Sequence, residues 1–265
     1  QYIESSGLKV DSTKCKDKTL ASNTVNGFVY SQYNPYHITG RPSNAFGGVN
    51  YAAIPKNTKA REAFISRFDG GKLVLMDYES YHLRLIANMI NFPQPKEPFH
   101  EYLGRIYFEK DTLTEDEYKM GKQLTFEYIY GNIPKPNIPF FQEMNTWLKM
   151  FYGETQKTGQ LNGRHRKIPL SSIDDASISK VFNYKMQAEE MYQSISRLSE
   201  VKDFFEVHKL KSKIILYVYD SILMDITPED YSDFVIQGTK DILQQGGFPV
   251  RVYEGLDYHN LKLIS

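Results

Sequence analysis

Short apolar runs separated by turn-rich stretches predict β-strands at three places in the chain. KLVLMDY (72–78) and FPVRVYEG (248–255) are short and rich in branched or aromatic residues, as buried strands are. KIILYVYDSILMDI (213–226) has one acid, Asp220, in its middle, so we expect two strands that meet at a tight turn centred on Tyr219–Ser221. The pattern therefore predicts a β-sheet that carries an acid at one of its turns.

Apolar positions three or four residues apart predict the helices. Thr227, followed by Pro228, is a good N-cap and predicts that a further helix begins there. Gly, Pro and Asn are too frequent over 34–48 for long regular structure. We expect helices at 81–90, in segments between about 99 and 131, at 140–154, at 174–209 and after 227. We expect the other segments to be an irregular or weakly paired start at 1–27, a proline-rich break at 132–139 and a basic hairpin or loop at 163–172.

The composition is that of a globular protein, because 41% of its 265 residues are hydrophobic and 24% are charged. This length suffices for one large domain or two small ones. No apolar run approaches a membrane span and no signal peptide opens the chain, so we expect a cytoplasmic protein with no membrane partner. A single cysteine, Cys15, excludes an internal disulfide. The start at Gln1 predicts a processed product or part of a longer polypeptide.

The net charge is zero, which argues against a nucleic-acid partner, but the charges are segregated along the chain. Residues 1–72 hold ten Lys or Arg against five Asp or Glu, and residues 149–170 hold five against one. Acidic blocks at 73–148 and 171–265 balance them. Two basic blocks separated by acidic ones are compatible with a basic groove around an acidic centre.

Two acids, Asp77 and Asp220, each follow an apolar strand, so both are expected at an edge of the sheet. Two carboxylates that converge there repel one another unless cations lie between them. A pair of carboxylates together with substrate phosphates is the usual way in which proteins hold Mg²⁺. The alternative is that two acids end strands for solubility.

The segment EYKMGKQLTFEYIYG (117–131) predicts a helix with a functional face. At about 100° per residue, Lys119, Lys122, Phe126 and Tyr130 lie within roughly 80° of one another. The cations could hold a triphosphate while the aromatic rings stack on a base. The alternative is a half-buried helix with lysines that reach to solvent.

These segments, in this order, resemble the family A DNA polymerases, the group typified by DNA polymerase I, over roughly residues 25–260. MDYESYHLR (76–84) resembles the first catalytic motif, and KMGKQLTFEYIYG (119–131) resembles the nucleotide-binding helix of the fingers. LYVYDSIL (216–223) resembles the third motif, in which an aspartate occupies a tight hairpin. Further similar segments are TGRPS (39–43), NYAAIP (50–55), REAFI (61–65), HEYLGRIYF (100–108), GRHRKIP (163–169), FNYKMQ (182–187) and FPVRVYEGLDYHNL (248–261).

The resemblance implies an α+β fold, with a palm made of an antiparallel sheet backed by helices and mostly helical fingers. Residues 1–30 would lead into the palm, 20–90 and 180–265 would form it, and 91–179 would form the fingers. The family's thumb and exonuclease domain have no counterpart in this sequence. An additional polypeptide or a missing N-terminal region is therefore expected to supply them.

The implied activity is template-directed DNA synthesis, in which a primer 3′-hydroxyl attacks the α-phosphate of a dNTP with the help of two Mg²⁺ ions, or Mn²⁺. Asp77 and Asp220 would be catalytic and would hold the ions, with the backbone carbonyl of Tyr78 as a further ligand. The triphosphate would be bound by Lys122, Lys119 and His100, and the new base pair would be framed by Phe126 and Tyr130. Primer–template DNA near its growing end would be contacted by Arg41, Asn50, Asn183 and Gln187. Template phosphates would be contacted by Arg164 and Arg166.

Several positions depart from the family's pattern. His82 replaces a glutamate that screens the 2′ position of the sugar, and it is expected to keep a preference for deoxynucleotides or else to pack against Tyr130. Ser221 replaces an accessory acid of the third motif, and Tyr118 replaces an arginine, which leaves Lys119 to substitute for it. These departures indicate a divergent member of phage or viral origin, which would act in the host cytoplasm.

Two other functions compete with this interpretation. A single-subunit RNA polymerase shares the palm and both aspartates, but the Phe126 helix and the segments 163–169 and 182–187 favour the DNA enzymes. A catalytically inactive, structural subunit of a replication complex is the alternative outside enzymology. Retention of Asp77, Asp220 and Lys122 together argues against it.

Overall fold

The chain forms two compact units, each with its own core. The computed structural model describes residues 2–14, 22–34, 36–55, 58–131 and 133–265, with the backbone alone over 44–48. The first unit comprises Gln1–His37, Arg41–Tyr78 and Gln193–Ser265, and the second comprises Ile38–Gly40 and Glu79–Tyr192. After Tyr78 the chain passes from the first unit to the second, and after Tyr192 it returns to the first. The palm and fingers boundaries at 90 and 180 remain predictions.

Apart from a five-residue helix at Tyr2–Ser6, in the stretch 1–27 that was expected to be irregular or weakly paired, the helices follow the predicted order. The segment predicted at 81–90 is confirmed to the residue, and the one predicted at 174–209 is a single long helix. Among the described helices, none combines the length and the apolar character needed to cross a membrane. The helices are α1 (Tyr2–Ser6), α2 (Tyr81–Ile90), α3 (Phe99–Phe108), α4 (Glu115–Tyr130), α5 (Pro139–Thr158), α6 (Ile178–Val207) and α7 (Asp233–Gln244), with short 3₁₀ turns at Tyr51–Ala53, Lys59–Ala63 and Leu170–Ser172.

The start of the last helix differs from the prediction. Helix α7 begins after Ser232, whose side chain accepts a hydrogen bond from the Val235 N–H, and not at Thr227. The Thr227 hydroxyl instead accepts from the Asp230 N–H at 3.1 Å, and its carbonyl accepts from the Tyr231 N–H at 3.0 Å. Thr227 therefore closes a single turn, because the short polar segment before Ser232 turns the chain once more before the helix starts.

A five-stranded antiparallel sheet forms the centre of the first unit. Its strands are β7 (Lys72–Tyr78), β10 (Lys213–Val218), β11 (Ser221–Ile226), β12 (Val250–Gly255) and β13 (Lys262–Leu263). They lie in the order β10–β11–β7–β12–β13, so β7 is hydrogen-bonded on both sides. Strand β7 is confirmed to the residue, and the predicted hairpin of β10 and β11 turns at Tyr219 and Asp220. Burial of Leu73, Met76 and Leu223 explains why these runs are apolar.

Two smaller sheets complete the first unit. Strands β1 (Leu8–Val10), β2 (Thr24–Val25), β3 (Phe28–Val29) and β6 (Phe64–Ile65) pair in the order β2–β3–β1–β6, and β4 (Ser31–Asn34) pairs with β5 (Ser43–Gly48). The prediction of irregular structure over 34–48 was therefore wrong for 43–48. Pairing with β4 satisfies the backbone of a stretch whose own strand propensity is low.

The second unit is mostly helical. It contains α2 to α5, the first part of α6, and a hairpin of β8 (Gln160–Asn162) and β9 (Lys167–Pro169). Of the hairpin or loop expected over 163–172, the structure has the hairpin, which begins three residues earlier. Its core contains three fully buried aromatic rings, those of Phe99, Phe140 and Phe141. The centroid of the Phe140 ring lies 5.1 Å from that of Phe99 and 5.2 Å from that of Phe141. This core fixes the helices that carry the candidate nucleotide-binding residues.

Candidate functional site

The sheet brings the two predicted catalytic acids together. Asp77, near the end of β7, pairs in register with Ser221 of β11, the residue that follows Asp220. The backbone N–H of Tyr78 donates to the carbonyl oxygen of Asp220 at 3.0 Å. Neighbouring strands lie about 4.8 Å apart, so Asp77 on β7 and Asp220, in the turn that precedes β11, are near neighbours along the backbone. Both side chains are half-buried, at the end of a strand pair whose Met76 is fully buried.

The hairpin turn that carries Asp220 is tight because Tyr219 adopts a left-handed backbone conformation, with φ of 57°. Two-residue hairpins use positive φ values of this kind. The hydroxyl of Ser221 donates to the carbonyl of Val218 at 3.0 Å and closes the turn further. The guanidinium carbon of Arg41 lies 3.8 Å from the centroid of the Tyr219 ring. Arg41, a predicted DNA contact, therefore lies beside the hairpin that carries Asp220.

One arginine stands opposite Asp77 on the neighbouring strand, and a second lies against Tyr258. Arg251 on β12 pairs in register with Asp77, and residues directly opposite on one sheet face lie about 5 Å apart at Cβ. The guanidinium of Arg61 lies 4.6 Å from the ring centroid of Tyr258. Burial raises the pKa of the Tyr258 hydroxyl, Arg61 opposes this shift, and the negative charge of Asp77 adds to it. Sequence reasoning missed Arg251 and Arg61, although both fall inside segments that resemble the family.

The oxygen donors at this edge suit a hard divalent cation. Within the described ranges, no cluster of three or more His, Cys, Asp or Glu side chains is placed to hold a metal. Two carboxylates, from Asp77 and Asp220, and nearby backbone carbonyls remain. Mg²⁺ commonly takes one or two protein carboxylates and completes its shell with water and substrate phosphates, so this donor set fits it.

A cavity of about 550 Å³ also opens in the first unit, and it is apolar in character. It is lined by Tyr2, Tyr33, Ile195, Leu198 and Tyr217, among others. Neither candidate catalytic acid belongs to its lining. The cavity is therefore distinct from the acidic edge of the sheet.

Helix α4, in the second unit, is fixed by its N-terminus and by a close helix contact. Thr114 and Glu117 form a reciprocal capping box, a signal that is readable in the sequence. Gly121 lies on the buried side, where an added Cβ would stand 3.3 Å from the Cα of Gly104 on α3. Thr125 and Ile129 continue this buried stripe, which leaves the predicted functional face exposed or half-exposed.

The four predicted residues on α4 do share one face, but their environments differ. The ammonium of Lys119 lies 2.6 Å from the Glu115 carboxylate, and this contact raises the pKa of Lys119. Lys122 is exposed and makes no ion pair in the described part of the chain. The rings of Phe126 and Tyr130 are stacked, with centroids 6.4 Å apart at 17°. Lys122 is therefore the cation of this face that no acid neutralises.

Two histidines support the aromatic residues of α4. His100, on α3, is buried, and its ring centroid lies 5.5 Å from that of Phe126. His82, on α2, is hydrogen-bonded through Nδ1 to the Tyr130 hydroxyl, and the two atoms lie 2.6 Å apart. Its Nε2 lies 2.9 Å from a carboxylate oxygen of Glu190 on α6. The contact of His82 with Tyr130 is therefore observed, whereas its role towards the sugar stays a prediction, and Glu190 is a partner that the sequence did not reveal.

A buried ion pair anchors the start of α3, which carries His100. Arg84 donates to the carboxylate of Glu79 at 2.6 Å, and both side chains are buried. The other oxygen of Glu79 accepts from the Phe99 N–H at 3.1 Å, where Pro98, the N-cap residue, offers no side-chain cap. Glu79 therefore caps a helix that begins twenty residues later.

The predicted DNA-contacting residues fall in both units. In the second unit, Gln187 donates to the Asn183 side chain at 3.3 Å, and Arg166 donates to the Ile38 carbonyl at 3.2 Å. Arg164 is largely exposed, and its Nε lies 3.4 Å from Glu189. Asn50, in the first unit, is exposed. Arg164 is thus available at a surface, whereas Arg166 already has a backbone partner.

Comparison with known proteins supports the fold. No family model and no curated protein matches the chain. Among solved structures 132 chains match, so the likeness does not depend on a single one. One of them is the POL domain of Pol1 from M. smegmatis in complex with DNA primer-template and dNTP. It matches with a TM-score of 0.75 and 18% sequence identity over 91% of this chain and 50% of that chain.

The chain therefore spans about half the length of that structural neighbour. The expected α+β polymerase fold is confirmed by this likeness and by the antiparallel sheet of the first unit. An identity of 18% establishes the fold alone, so activity and residue roles require their own argument.

Proposed function

We propose that this chain is the polymerase portion of a template-directed DNA polymerase, which transfers nucleotides from dNTPs to a primer 3′-hydroxyl. One observation carries the proposal: Asp77, near the end of β7, and Asp220, in the turn that leads into the adjacent strand β11, are far apart in sequence but neighbours in a chain with a polymerase-domain fold. Isolated acids that end strands for solubility have no reason to converge in this way.

The acidic edge would serve the reaction centre. In nucleotidyl transfer, the 3′-oxygen bonds to the α-phosphorus, the bond to the β-phosphate oxygen breaks, and pyrophosphate leaves while the hydroxyl proton passes to water. Asp77, Asp220 and the carbonyl of Tyr78 would hold two divalent ions, Mg²⁺ or alternatively Mn²⁺. Bound there, the ions would supply charge neutralisation for the carboxylates and phosphates.

The second unit would bind the incoming nucleotide. Lys122 would pair with its phosphates because no acid of the described chain competes for its charge. Lys119, which is paired with Glu115, would contribute less, and the buried His100 would act by supporting Phe126. Phe126 and Tyr130 would offer their stacked rings to the new base pair.

DNA would be held through charge and polar contacts that carry no sequence preference. Arg41 and Asn50 would contact primer–template DNA, as would Asn183 and Gln187. Arg164 would meet template phosphates directly, with Arg166 positioned behind it by its bond to Ile38.

The proposal extends to the family of this chain, to its origin and to its partners. We assign the chain to the family A DNA polymerases of phages or viruses, which would place it in the host cytoplasm. The thumb and exonuclease functions would come from an additional polypeptide or from a further region of the protein.

Primer extension tests the proposal. The wild-type protein, Asp77→Asn and Asp220→Asn are compared on a primed template with dNTPs or rNTPs, with and without Mg²⁺. Asp69→Asn, which changes an exposed acid in the same unit, is the matched control. We expect extension with dNTPs, a loss of about 10²–10³-fold or more in both variants, and no loss in the control.

Two further measurements distinguish the alternatives. Mn²⁺ binding, followed by paramagnetic relaxation of water, should weaken in Asp77→Asn and Asp220→Asn even if no activity is detected. Duplex DNA binding, followed by fluorescence anisotropy, should survive in both. Binding of DNA without extension would identify a structural subunit, and preferential use of rNTPs would identify an RNA polymerase.

A further inference from the structure

His82 lies in a chain of hydrogen bonds that joins three helices of the second unit. Its Nδ1 lies 2.6 Å from the Tyr130 hydroxyl on α4, and its Nε2 lies 2.9 Å from a carboxylate oxygen of Glu190 on α6. Glu190 is 1% exposed, whereas the His82 side chain is 23% exposed. The polar contacts of His82 within the described chain are these two, and the Tyr130 ring stands edge-on to the imidazole at 5.8 Å.

The hydrogen-bonding capacities of these groups decide where the protons lie. An ionised carboxylate only accepts hydrogen bonds, so Nε2 of His82 must carry a hydrogen and donate it to Glu190. In a neutral imidazole, Nδ1 is then the acceptor, and the Tyr130 hydroxyl must donate to it. Burial of the Glu190 carboxylate makes loss of this bond costly, which strengthens the preference for one tautomer.

The same bonds also fix the aromatic residues. The Tyr130 ring is stacked on Phe126 and lies 6.1 Å from the ring of Phe182, while its hydroxyl bonds to His82. A ring that is held at its hydroxyl by a fixed imidazole cannot swing away from the exposed face of α4.

We infer that Glu190 is a positioning residue, which locks the tautomer and orientation of His82 and, through it, the hydroxyl of Tyr130. The inference rests on the proposed function, in which this group of residues faces the nucleotide. Selection of deoxynucleotides over ribonucleotides is then a property of the trio Tyr130, His82 and Glu190 and not of one side chain. Glu190 itself need not touch the nucleotide.

A purely structural role for Glu190 is the competing explanation, because a buried Glu–His pair also ties α2 to α6. The two explanations predict different outcomes. A structural tie changes stability alone, whereas a positioning residue changes the ratio of kcat/KM for dNTP and rNTP. The positioning effect must also vanish when His82 is absent, because Glu190 acts through it.

The central test compares Glu190→Gln with Glu200→Gln, a substitution of a half-exposed residue on the same helix, whose carboxylate pairs with Arg197 and not with His82. Glutamine keeps the size of the side chain but no longer obliges Nε2 to donate. We expect Glu190→Gln to lower the dNTP to rNTP ratio of kcat/KM by about tenfold, the scale on which a misplaced contact acts, and the control to leave it unchanged. In a His82→Phe background, Glu190→Gln should change the ratio no further.

Imidazole ¹⁵N NMR of the wild-type protein tests the same inference without any catalysis. We expect the neutral His82 ring to carry its hydrogen on Nε2, and Glu190→Gln to give a mixture of tautomers. A hydrogen on Nδ1 in the wild type would overturn the inference, as would an unchanged ratio in a folded Glu190→Gln variant. If that variant does not fold, Tyr130→Phe decides the matter, because it removes only the hydroxyl and should lower the ratio in the same direction.

The two proposals fail separately. An Nε2–H tautomer in a protein that extends no primer would contradict the proposed function and leave the lock intact. Primer extension with a ratio insensitive to both Glu190→Gln and Tyr130→Phe would retain the polymerase and reject the positioning role.

Discussion

Strand β7 and helix α4 present their candidate functional side chains in opposite ways. Four of the seven residues of β7 are buried, and the strand is hydrogen-bonded on both sides, by β11 and β12. Only Gly121, Thr125 and Ile129 are buried among the sixteen residues of α4. Asp77 is therefore placed by a ladder that cannot shift without moving the core, whereas Lys122 is placed by one exposed helix.

The difference separates two requirements of the proposed chemistry. Two carboxylates that share cations need a fixed mutual geometry, which a sheet register provides. A cation that binds a mobile triphosphate needs reach, which an exposed lysine with a flexible stem provides. Substitutions next to Asp77 should therefore affect stability, and substitutions next to Lys122 should affect binding.

The largest expected effect compares two methionines that differ in burial. Met76 on β7 is 1% exposed and Met120 on α4 is 55% exposed. Met76→Ala should lower the free energy of unfolding by about 2–5 kcal/mol, because it leaves a cavity in the sheet core. Met120→Ala should change it by no more than about 0.5 kcal/mol. Urea denaturation measures both, and similar losses in the two variants would break the comparison.

The second expected effect compares two lysines on α4. Lys122→Ala should cost about 3 kcal/mol of transition-state stabilisation, or about 10²-fold in kcat/KM for dNTP, because a charge clamp on the phosphates is lost. Lys119→Ala should cost much less, because Glu115 already neutralises that cation. Steady-state primer extension measures both losses. Equal losses would mean that the ion pair opens when the nucleotide binds.

Much of the fold could be predicted because its signals are local. The apolar run over 72–78 and the helical spacing over 81–90 gave both elements to the residue. The strand Ser43–Gly48 was missed because its stability comes from pairing with β4 and not from its own residues. Thr227 was misjudged because a single capped turn and a helix N-terminus share the same residue types.

The candidate site likewise combines features that local sequence signals predict with features that depend on contacts between distant residues. The convergence of Asp77 and Asp220 follows from strand ends, which the sequence marks. The positions of Arg251 and Glu190 depend on sheet register and on contacts between helices, and the His82–Glu190 contact joins residues 108 positions apart. No local pattern records such a contact, so only the folded chain reveals it.

A third expected effect concerns the stacking of Arg41 on Tyr219, which joins a predicted DNA contact to the rigid hairpin. Arg41→Met should weaken duplex binding by about 1.5 kcal/mol, or roughly tenfold, the scale of one charge-assisted hydrogen bond. It should also reduce the salt slope of binding by about one. Tyr219→Ala should have a weaker effect in the same direction, because the arginine loses its platform but keeps its charge. Anisotropy titrations at several salt concentrations measure both.

The smallest expected effect concerns the N-terminus of α4, on which the position of Lys122 depends. Thr114→Ala should lower the free energy of unfolding by about 1 kcal/mol, because it removes one half of the capping box.

The other half of the capping box, the Glu117 carboxylate, contributes stability that depends on pH. A side-chain hydrogen bond from Lys110, together with hydrogen bonds from Thr114, lowers the pKa of the Glu117 carboxyl to about 2. Its pKa in an unfolded chain is about 4.3, so its stabilising contribution is complete above that pH and is lost as the pH falls towards 2. Glu117→Gln should therefore speed amide hydrogen exchange in the first turn of α4 near neutral pH, and its difference from the wild type should shrink as the medium is acidified through this window. Asp116→Asn, an exposed neighbour outside the capping box, is the matched control, and a difference that persists unchanged at pH 2 would show that Glu117 does not cap the helix as a carboxylate.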